Sequence, residues 1–411
     1  MHTNWKRNII LFMSSQTITM FGTMLVQYAI MWHITMTTQS GLMMTISILC
    51  GFVPTFFLSP FAGVWADRYN RKLLIILSDS FIAISTLILA ILFMLGYNEL
   101  WLLFVISAIR AIGSGIQTPA IGAILPQIVP EEHLTKVNGI NGSIQACIML
   151  ISPMVSAALL SVSTIEAIFF IDVVTAAIAI YILLVLLPIA AHPRSPEGLT
   201  AGYLEDFRKG ILYIREHPFL KRFFAFCALF MLLAAPAAFL TPLQVTRSFG
   251  NDVWRLTAIE IAFSIGMMLG GALIASWGGF RNRVHTMTLG CLFFGICTLA
   301  LGIVPSFWIY LGVMGITGLS MPLFNTPSMV MLQEKVEGEY LGRIFGVFGM
   351  ISSSMMPLGM LLFGPIADFI EIEWMLIATG TLMFLQAFLL IGSKTLVDAG
   401  RPNVSAEQPQ P

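Results

Sequence analysis

Four ionisable side chains lie within long apolar segments of the chain, where they could bind a proton, a polar ligand or one another. They are Asp79, Arg110, Asp172 and Glu260. A carboxyl group among apolar neighbours can take up and release a proton, whereas an arginine can bind an anion or neutralise a carboxylate. A charged residue at the centre of a membrane helix costs about 2.5–3.5 kcal/mol on insertion scales, so we expect each of the four to serve a purpose.

Charge is also concentrated in the segment GVWADRYNRK, which begins at Gly63 and separates two apolar runs. Asp67 could accept hydrogen bonds from the N–H groups at the start of a neighbouring helix, where the helix dipole favours an anion. The cations Arg68, Arg71 and Lys72 could bind Asp67 or the last carbonyl groups of helices, so the cluster could hold two helix bundles together. Retention of positive charge in the cytoplasm is an alternative explanation for Arg71 and Lys72, but not for Asp67 or Gly63.

Helices must position these residues, because the composition excludes an ordinary water-soluble protein. Of the 411 residues, 57% are hydrophobic and 10% are charged, whereas soluble domains contain about 25% charged residues. Apolar stretches of about 20 residues recur, and each is long enough to cross a bilayer as a helix. We therefore predict an all-α integral membrane protein with twelve transmembrane helices, near residues 8–33, 41–65, 73–95, 100–125, 138–163, 165–188, 222–246, 254–277, 284–304, 307–331, 341–365 and 374–393.

The placement of lysine and arginine predicts the orientation of these spans. If the N-terminus is inside, 18 of the 21 basic residues fall in inward loops and ends, as the positive-inside rule requires. Only Arg247 and Arg255 fall in outward loops. We expect a multi-pass protein of the cell membrane with both termini cytoplasmic, and a first span that is retained because no cleavage site follows it.

The predicted spans form two bundles, residues 1–188 and 222–393, joined by a cytoplasmic linker over 189–221. Apolar residues recur at helical spacing between charges in this linker, which predicts an amphipathic helix on the membrane surface. They are Leu204, Phe207, Ile211 and Ile214. The tail, residues 394–411, is polar and is expected to be disordered.

An internal repeat relates the two bundles. Thr118 and Pro119 correspond to Thr326 and Pro327 at an offset of 208. Gly63 and Gly271 share that offset, and Leu134, Lys136 and Gly139 correspond to Leu341, Arg343 and Gly346 at an offset of 207. Parallel six-helix repeats of this kind place a substrate site near the bilayer midplane, between the halves.

The pattern G-x-x-x-D-R-x-x-R-K between the second and third of twelve spans resembles the signature loop of the major facilitator superfamily. This resemblance implies that the loop locks one state of the transporter by docking against the start of the eleventh helix, here Leu341 to Gly346. The segments RAIGSGIQTPA and VPEEHLTK in turn resemble the macrolide-efflux group of drug:proton antiporters. Arg110, in the first of these segments, matches the arginine that such antiporters carry in helix four.

The four membrane-embedded charges have different expected roles. Arg110 is about ten residues into its span, roughly 15 Å deep, and is predicted to act in coupling or substrate binding, with a structural ion pair as the alternative. Many proton-coupled exporters of this fold carry an acidic residue in helix one or helix four, and this chain has neither. Proton carriage therefore falls to Glu260 or Asp79, with structural roles as the alternative. Asp79, which could reach back to the charged loop, and Asp172 are secondary candidates.

Several function classes are excluded. The five cysteines lie in apolar runs with no histidine placed to complete a site, so we expect neither a metal nor a cofactor. No phosphate-binding loop or hydrolytic motif occurs, which argues against an enzyme or a primary pump. The net charge is zero, so the chain lacks the excess of basic residues that is typical of nucleic-acid-binding proteins.

We therefore predict a secondary active exporter that moves a bulky, amphipathic, macrolide-like drug across the lipid bilayer by alternating access, in exchange for protons. A siderophore, a lysolipid or a metabolite remains an alternative cargo, and a membrane receptor is the alternative outside transport. One chain supplies both halves of the fold, so a monomer is expected to suffice.

Overall fold

The computed structural model of the protein describes residues 5–188 and 212–401, which form helices joined by short connections. Twelve apolar spans occur in this part of the chain, so the prediction of an all-α membrane protein with twelve transmembrane helices is confirmed. The first six helices are α1 Trp5–Thr38, α2 Gly41–Arg68, α3 Arg71–Met94, α4 Leu100–Ile128, α5 Glu131–Val162 and α6 Ile165–Tyr181. The remaining helices are α7 Pro218–Phe239, α8 Thr241–Ser248, α9 Val253–Trp277, α10 Arg283–Leu301, α11 Phe307–Lys335, α12 Gly338–Ile366, α13 Ile372–Gly392 and α14 Lys394–Ala399.

The chain divides into two compact units. Unit 1 comprises residues 1–38, 46–199 and 252–257, and unit 2 comprises the rest of the chain. The boundaries therefore differ from the predicted bundles at α2 and α9. The first turn of α2 belongs to unit 2 and its remainder to unit 1. Similarly, the first residues of α9 belong to unit 1, whereas the rest of that helix lies in unit 2.

Close helix packing in unit 1 depends on a glycine in α4. A Cβ atom at Gly113 would lie 2.5 Å from Cγ1 of Ile82 in α3 and 3.4 Å from the carbonyl oxygen of Ser78. Only glycine permits so short an approach without displacing α3. Unit 2 is packed around aromatic rings instead, with Phe230 stacked on Phe324 at a centroid distance of 4.0 Å.

The structure corrects the expectation for the beginning of the tail. Residues 394–399 form the short helix α14. This segment is held in place by the Arg222 guanidinium, which donates to the Thr395 hydroxyl at 2.6 Å, and by the Asn282 amide, which donates to the Val397 carbonyl at 2.8 Å. Disorder is therefore a wrong prediction for 394–401, because these polar residues find partners within unit 2.

Two other expectations change or stay open. The seventh span is not continuous but breaks between α7 and α8 at Leu240, after Pro236, which lacks the N–H needed for a regular helix. Three of the four apolar positions of the predicted amphipathic linker helix, Leu204, Phe207 and Ile211, lie outside the described residues. The fourth, Ile214, lies within residues 212–216, which are helical.

Candidate functional site

A buried ion pair joins α4 and α6 inside unit 1. Nη1 of Arg110 lies 2.5 Å from Oδ2 of Asp172, and the two residues are only 7% and 1% exposed. The Thr86 hydroxyl donates to the same Asp172 oxygen at 3.1 Å and also contacts Arg110. Nη2 of Arg110 donates to the carbonyl oxygen of Thr23 at 3.4 Å. Arg110 is thus engaged by a carboxylate and a backbone carbonyl, the arrangement that the sequence left as its structural alternative.

Asp79 of α3 lies in the same bundle, and no cation among the described residues contacts it. It is 2% exposed, and its Oδ1 accepts hydrogen bonds from the Thr19 hydroxyl at 3.1 Å and from Nε2 of Gln117 at 2.7 Å. Oδ2 of Asp79 is buried with no hydrogen-bond partner in the described structure. The expectation that Asp79 reaches back to Arg71 or Lys72 is therefore wrong, because its side chain points into the bundle towards α1 and α4.

These residues form two polar layers that follow the helical repeat. Asp79 and Thr86 are seven residues apart on α3, as are Gln117 and Arg110 on the antiparallel α4. Seven residues make about two helical turns, so each pair shares a face and the layers are about 10 Å apart along the helix axes. Gly113 lies on α4 between the two layers, where its contact with Ile82 closes the bundle.

Glu260 of α9 has different surroundings. It is half-buried and has no hydrogen-bond or ion-pair partner among the residues that the structure describes. It lies in unit 2, beyond the part of α9 that clusters with unit 1. Glu260 thus belongs to a different compact unit from Arg110, Asp79 and Asp172.

The segment from Gly63 to Lys72 is mostly helical. Its turn consists of Tyr69 and Asn70, and Oδ1 of Asn70 caps α3 by accepting from the Lys72 and Leu73 N–H groups. A Cβ atom at Gly63 would meet nothing within 4 Å, so packing does not explain this glycine.

The cations of this segment bind carbonyl groups at helix ends within unit 1. Arg71 donates to the carbonyl oxygens of Ala66 in α2 and Ala123 in α4, both at 2.9 Å. Nζ of Lys72 donates to the carbonyl oxygen of Leu187 at 2.8 Å. Arg68 is exposed, and the side chain of Asp67 lies outside the described part of the chain. Arg71 and Lys72 thus join the ends of three spans of the bundle.

An apolar groove of about 770 Å³ runs along α1 and α5 of unit 1. Its walls include Phe21, Ile144 and Cys147, with Lys136 as its cation. A neighbouring groove continues from it past Trp5. A volume of this size is within the range of small-molecule sites, which are mostly apolar with few polar groups. The sequence did not indicate this groove, since apolar residues on α1 and α5 could equally face lipid.

A polar cluster around Asp368, in the turn before α13, was also not indicated by the sequence. Its carboxylate accepts hydrogen bonds from the N–H groups of Gly41 and Leu42 at 2.7 and 3.0 Å and from the Ser40 hydroxyl at 2.8 Å. Arg247 adds an ion pair at 3.1 Å. Partial burial opposes ionisation, but these four donors outweigh it and hold the pKa of Asp368 below its ordinary value.

Comparisons with known families and proteins agree with this architecture. The family model described as Major Facilitator Superfamily matches residues 8–360. A solved structure of a bacterial homolog of the human lysosomal transporter Spinster superposes with a TM-score of 0.70 at 16% identity, over 97% of this chain and 99% of that one. At so low an identity this likeness concerns the fold.

Among curated proteins, Macrolide efflux protein A of Streptococcus pyogenes is 31% identical over 94% of this chain and 96% of its own length. The protein of the same name from Enterococcus faecalis is 33% identical over 78% of this chain and 99% of its own length. The Staphyloferrin A transporter of Staphylococcus aureus is 24% identical over 93% of this chain and 96% of its own length.

Proposed function

Because the chain belongs to the major facilitator superfamily, and is thus a multi-pass membrane transporter of small molecules and not an enzyme, we propose that it exports a macrolide-like drug in exchange for protons. The observation that carries this proposal is the 31% identity to Macrolide efflux protein A over nearly the full length of both chains. The apolar groove of unit 1 supports a bulky amphipathic cargo. The buried carboxylates of the same unit support proton exchange, since intramembrane acidic residues commonly form proton relays in transporters.

Alternating access needs contacts that hold one state and can be released. The segment from Gly63 to Lys72, with Asp67, Arg68 and Arg71, is our candidate latch, and by its resemblance to the signature loop its partner is the segment Leu341–Gly346. In support, Arg71 and Lys72 already fix the ends of α2, α4 and the segment after α6, so movement of this loop would move the bundle as a body. With this topology the chain lies in the cell membrane with both termini cytoplasmic and acts as a monomer.

The test of the function is the accumulation of a radiolabelled macrolide in cells with and without the protein, before and after addition of a protonophore. We expect lower accumulation in cells that contain the protein, and recovery when the protonophore removes the gradient. Asp67→Asn should raise accumulation while the protein remains in the membrane. Equal accumulation in cells with the wild-type protein and in cells without it would contradict the macrolide assignment.

A siderophore is the second candidate cargo, favoured by the match to the Staphyloferrin A transporter. The same cells, loaded with a labelled ferric siderophore, distinguish the two cargoes. Protein-dependent release of the siderophore but not of the macrolide would replace the first proposal by the second.

The groove can be tested through its own thiol. Cys147 is exposed, whereas Cys50 is half-buried and Cys227, Cys291 and Cys297 are buried. In a Cys50→Ser background, alkylation should report on Cys147. If the cargo occupies the groove, a saturating macrolide slows this alkylation; an unchanged rate would place the cargo elsewhere.

A further inference from the structure

The polar layer formed by Asp79, Thr19 and Gln117 in unit 1 has the features of a proton-binding site. Asp79 is nearly inaccessible to solvent at 2% exposure, and one of its oxygens, Oδ2, has no partner among the described atoms. Its other oxygen accepts two hydrogen bonds, from Thr19 and Gln117. Asp172 likewise has one buried oxygen without a partner, Oδ1, but it is paired with the Arg110 cation. In Asp79, whose two partners are uncharged, the asymmetry fits a neutral carboxylic acid, in which Oδ1 is the accepting carbonyl oxygen and Oδ2 carries the hydrogen.

The charges around Asp79 do not provide a counter-ion. Arg110 of α4 and Asp172 of α6 belong to the other layer and form an ion pair with each other at 2.5 Å. Lys72, seven residues before Asp79 on α3, donates to the carbonyl oxygen of Leu187 instead. The element α1 contributes the uncharged Thr19 hydroxyl. An ionised carboxylate that is buried without a cation is so unfavourable that the group takes up a proton instead.

We propose that Asp79 binds the transported proton, with Thr19 and Gln117 as positioning residues, an inference that rests on the proposed exchange of drug for protons. The reaction is the reversible protonation of one carboxylate oxygen by a proton from water, with no other bond changed. Gln117 is half-buried at the edge of the layer, which makes it the point at which water reaches the carboxyl group.

The site also links protonation to helix packing. The donors come from α1 and α4, whereas the carboxyl group belongs to α3. A deprotonated Asp79 needs further donors or water at Oδ2, which is buried without a partner among the described atoms in this arrangement. Release of the proton therefore requires the packing around Oδ2 to open, which is a change of shape that the substrate can drive or oppose.

The first measurement does not depend on the cargo. The infrared spectrum of the full-length wild-type protein at neutral pH should contain the C=O stretching band of a protonated carboxylic acid. Asp79→Asn should remove this band. Asp252→Asn, which makes the same change in an exposed ion pair with Arg255, should leave it intact. A spectrum without an Asp79-dependent band would overturn the proposal.

The second measurement uses proteoliposomes and radiolabelled erythromycin as the probe. Asp79→Asn should reduce pH-gradient-driven accumulation to the level of protein-free vesicles, while exchange of labelled for unlabelled drug without a gradient stays measurable. Gradient-driven accumulation by Asp79→Asn would overturn the proposal, as would a loss of both activities or a loss confined to Glu260→Gln. If the infrared band is present but the wild-type protein ignores the gradient, the proposed drug exchange fails and the proton site stands.

The positioning residues are tested by the pH profile. Gln117→Leu and Thr19→Val each remove one hydrogen bond to Asp79 and should shift the pH dependence of gradient-driven accumulation without abolishing exchange. A merely structural role would lower the amount of active protein and leave the profile where it was, which would contradict the positioning assignment.

Discussion

Asp79 and Asp172 are two buried carboxylates of one helix bundle with opposite surroundings. Their exposures are nearly equal, 2% and 1%, and both interact with a threonine hydroxyl. Asp172 also faces the guanidinium of Arg110, whereas Asp79 faces only the amide of Gln117. Burial alone therefore does not distinguish these two intramembrane carboxylates, whereas the charge of the partner does.

This contrast suggests different roles for the two polar layers of unit 1. A buried ion pair with complementary hydrogen bonds is stable in its charged form, and breaking it by removal of one partner is strongly unfavourable. The layer with Arg110 and Asp172 is thus suited to hold α4 and α6 together throughout the cycle. The layer with Asp79 has no such cation among the described residues, and it is the layer in which we propose that the charge changes.

The largest expected effect comes from breaking the ion pair. Arg110→Ala should lower the free energy of unfolding by about 3–5 kcal/mol, because Asp172 is left as an uncompensated buried charge. Denaturant unfolding of the purified protein in detergent measures this loss. The neutral pair Arg110→Gln with Asp172→Asn should recover much of the stability. If the double variant is no more stable than Arg110→Ala, the ion pair is not the source of the effect.

Replacing one threonine by valine in each polar layer tests whether the two carboxylates differ in charge. Thr86→Val removes hydroxyl contacts to charged groups and should cost about 1.5–3 kcal/mol, whereas Thr19→Val removes one hydrogen bond to a neutral acid and should cost about 0.5–1.5 kcal/mol. The two unfolding curves are measured side by side at neutral pH. Equal losses would contradict the assignment of Asp79 as a neutral acid.

The close packing between the layers gives a third test. Gly113→Ala places a methyl group against Ile82 and should destabilise the bundle by about 1–3 kcal/mol, as overpacking does. Gly122→Ala in the same helix is the matched control, since its Cβ atom would meet nothing within 4 Å. The thermal midpoints of the two variants decide the matter, and similar midpoints would show that α3 and α4 tolerate separation.

The smallest effect concerns a carboxylate outside the membrane spans. Because the pKa of Asp368 is lowered in the folded protein, its stabilisation is present above the ordinary carboxyl pKa of about 3.9 and is lost as the pH falls through the lowered value. Asp368→Asn should therefore make stability less sensitive to acid below about pH 4. Thermal midpoints between neutral and acidic pH measure this slope, and an unchanged slope would exclude Asp368 as its source.

The membrane spans follow from the sequence alone, because crossing a bilayer depends on the local run of apolar residues and on the thickness of the membrane. The sequence also identified the intramembrane charges, since Asp79, Arg110, Asp172 and Glu260 interrupt those runs. The resemblance of the charged loop and of the segment at Arg110 pointed to the superfamily that the comparisons confirm.

Which of these charges meet depends on the three-dimensional packing of the helices. Arg110 and Asp172 are 62 residues apart and Asp368 lies 327 residues from Gly41, and no local pattern connects them. Whether two side chains in different helices touch depends on the rotation of each helix about its axis and on how closely glycines such as Gly113 let the helices approach. These quantities arise from packing of the whole bundle. Asp172 therefore acquired a cationic partner, whereas Asp79 acquired the uncharged Thr19 and Gln117, for reasons that the linear sequence does not contain.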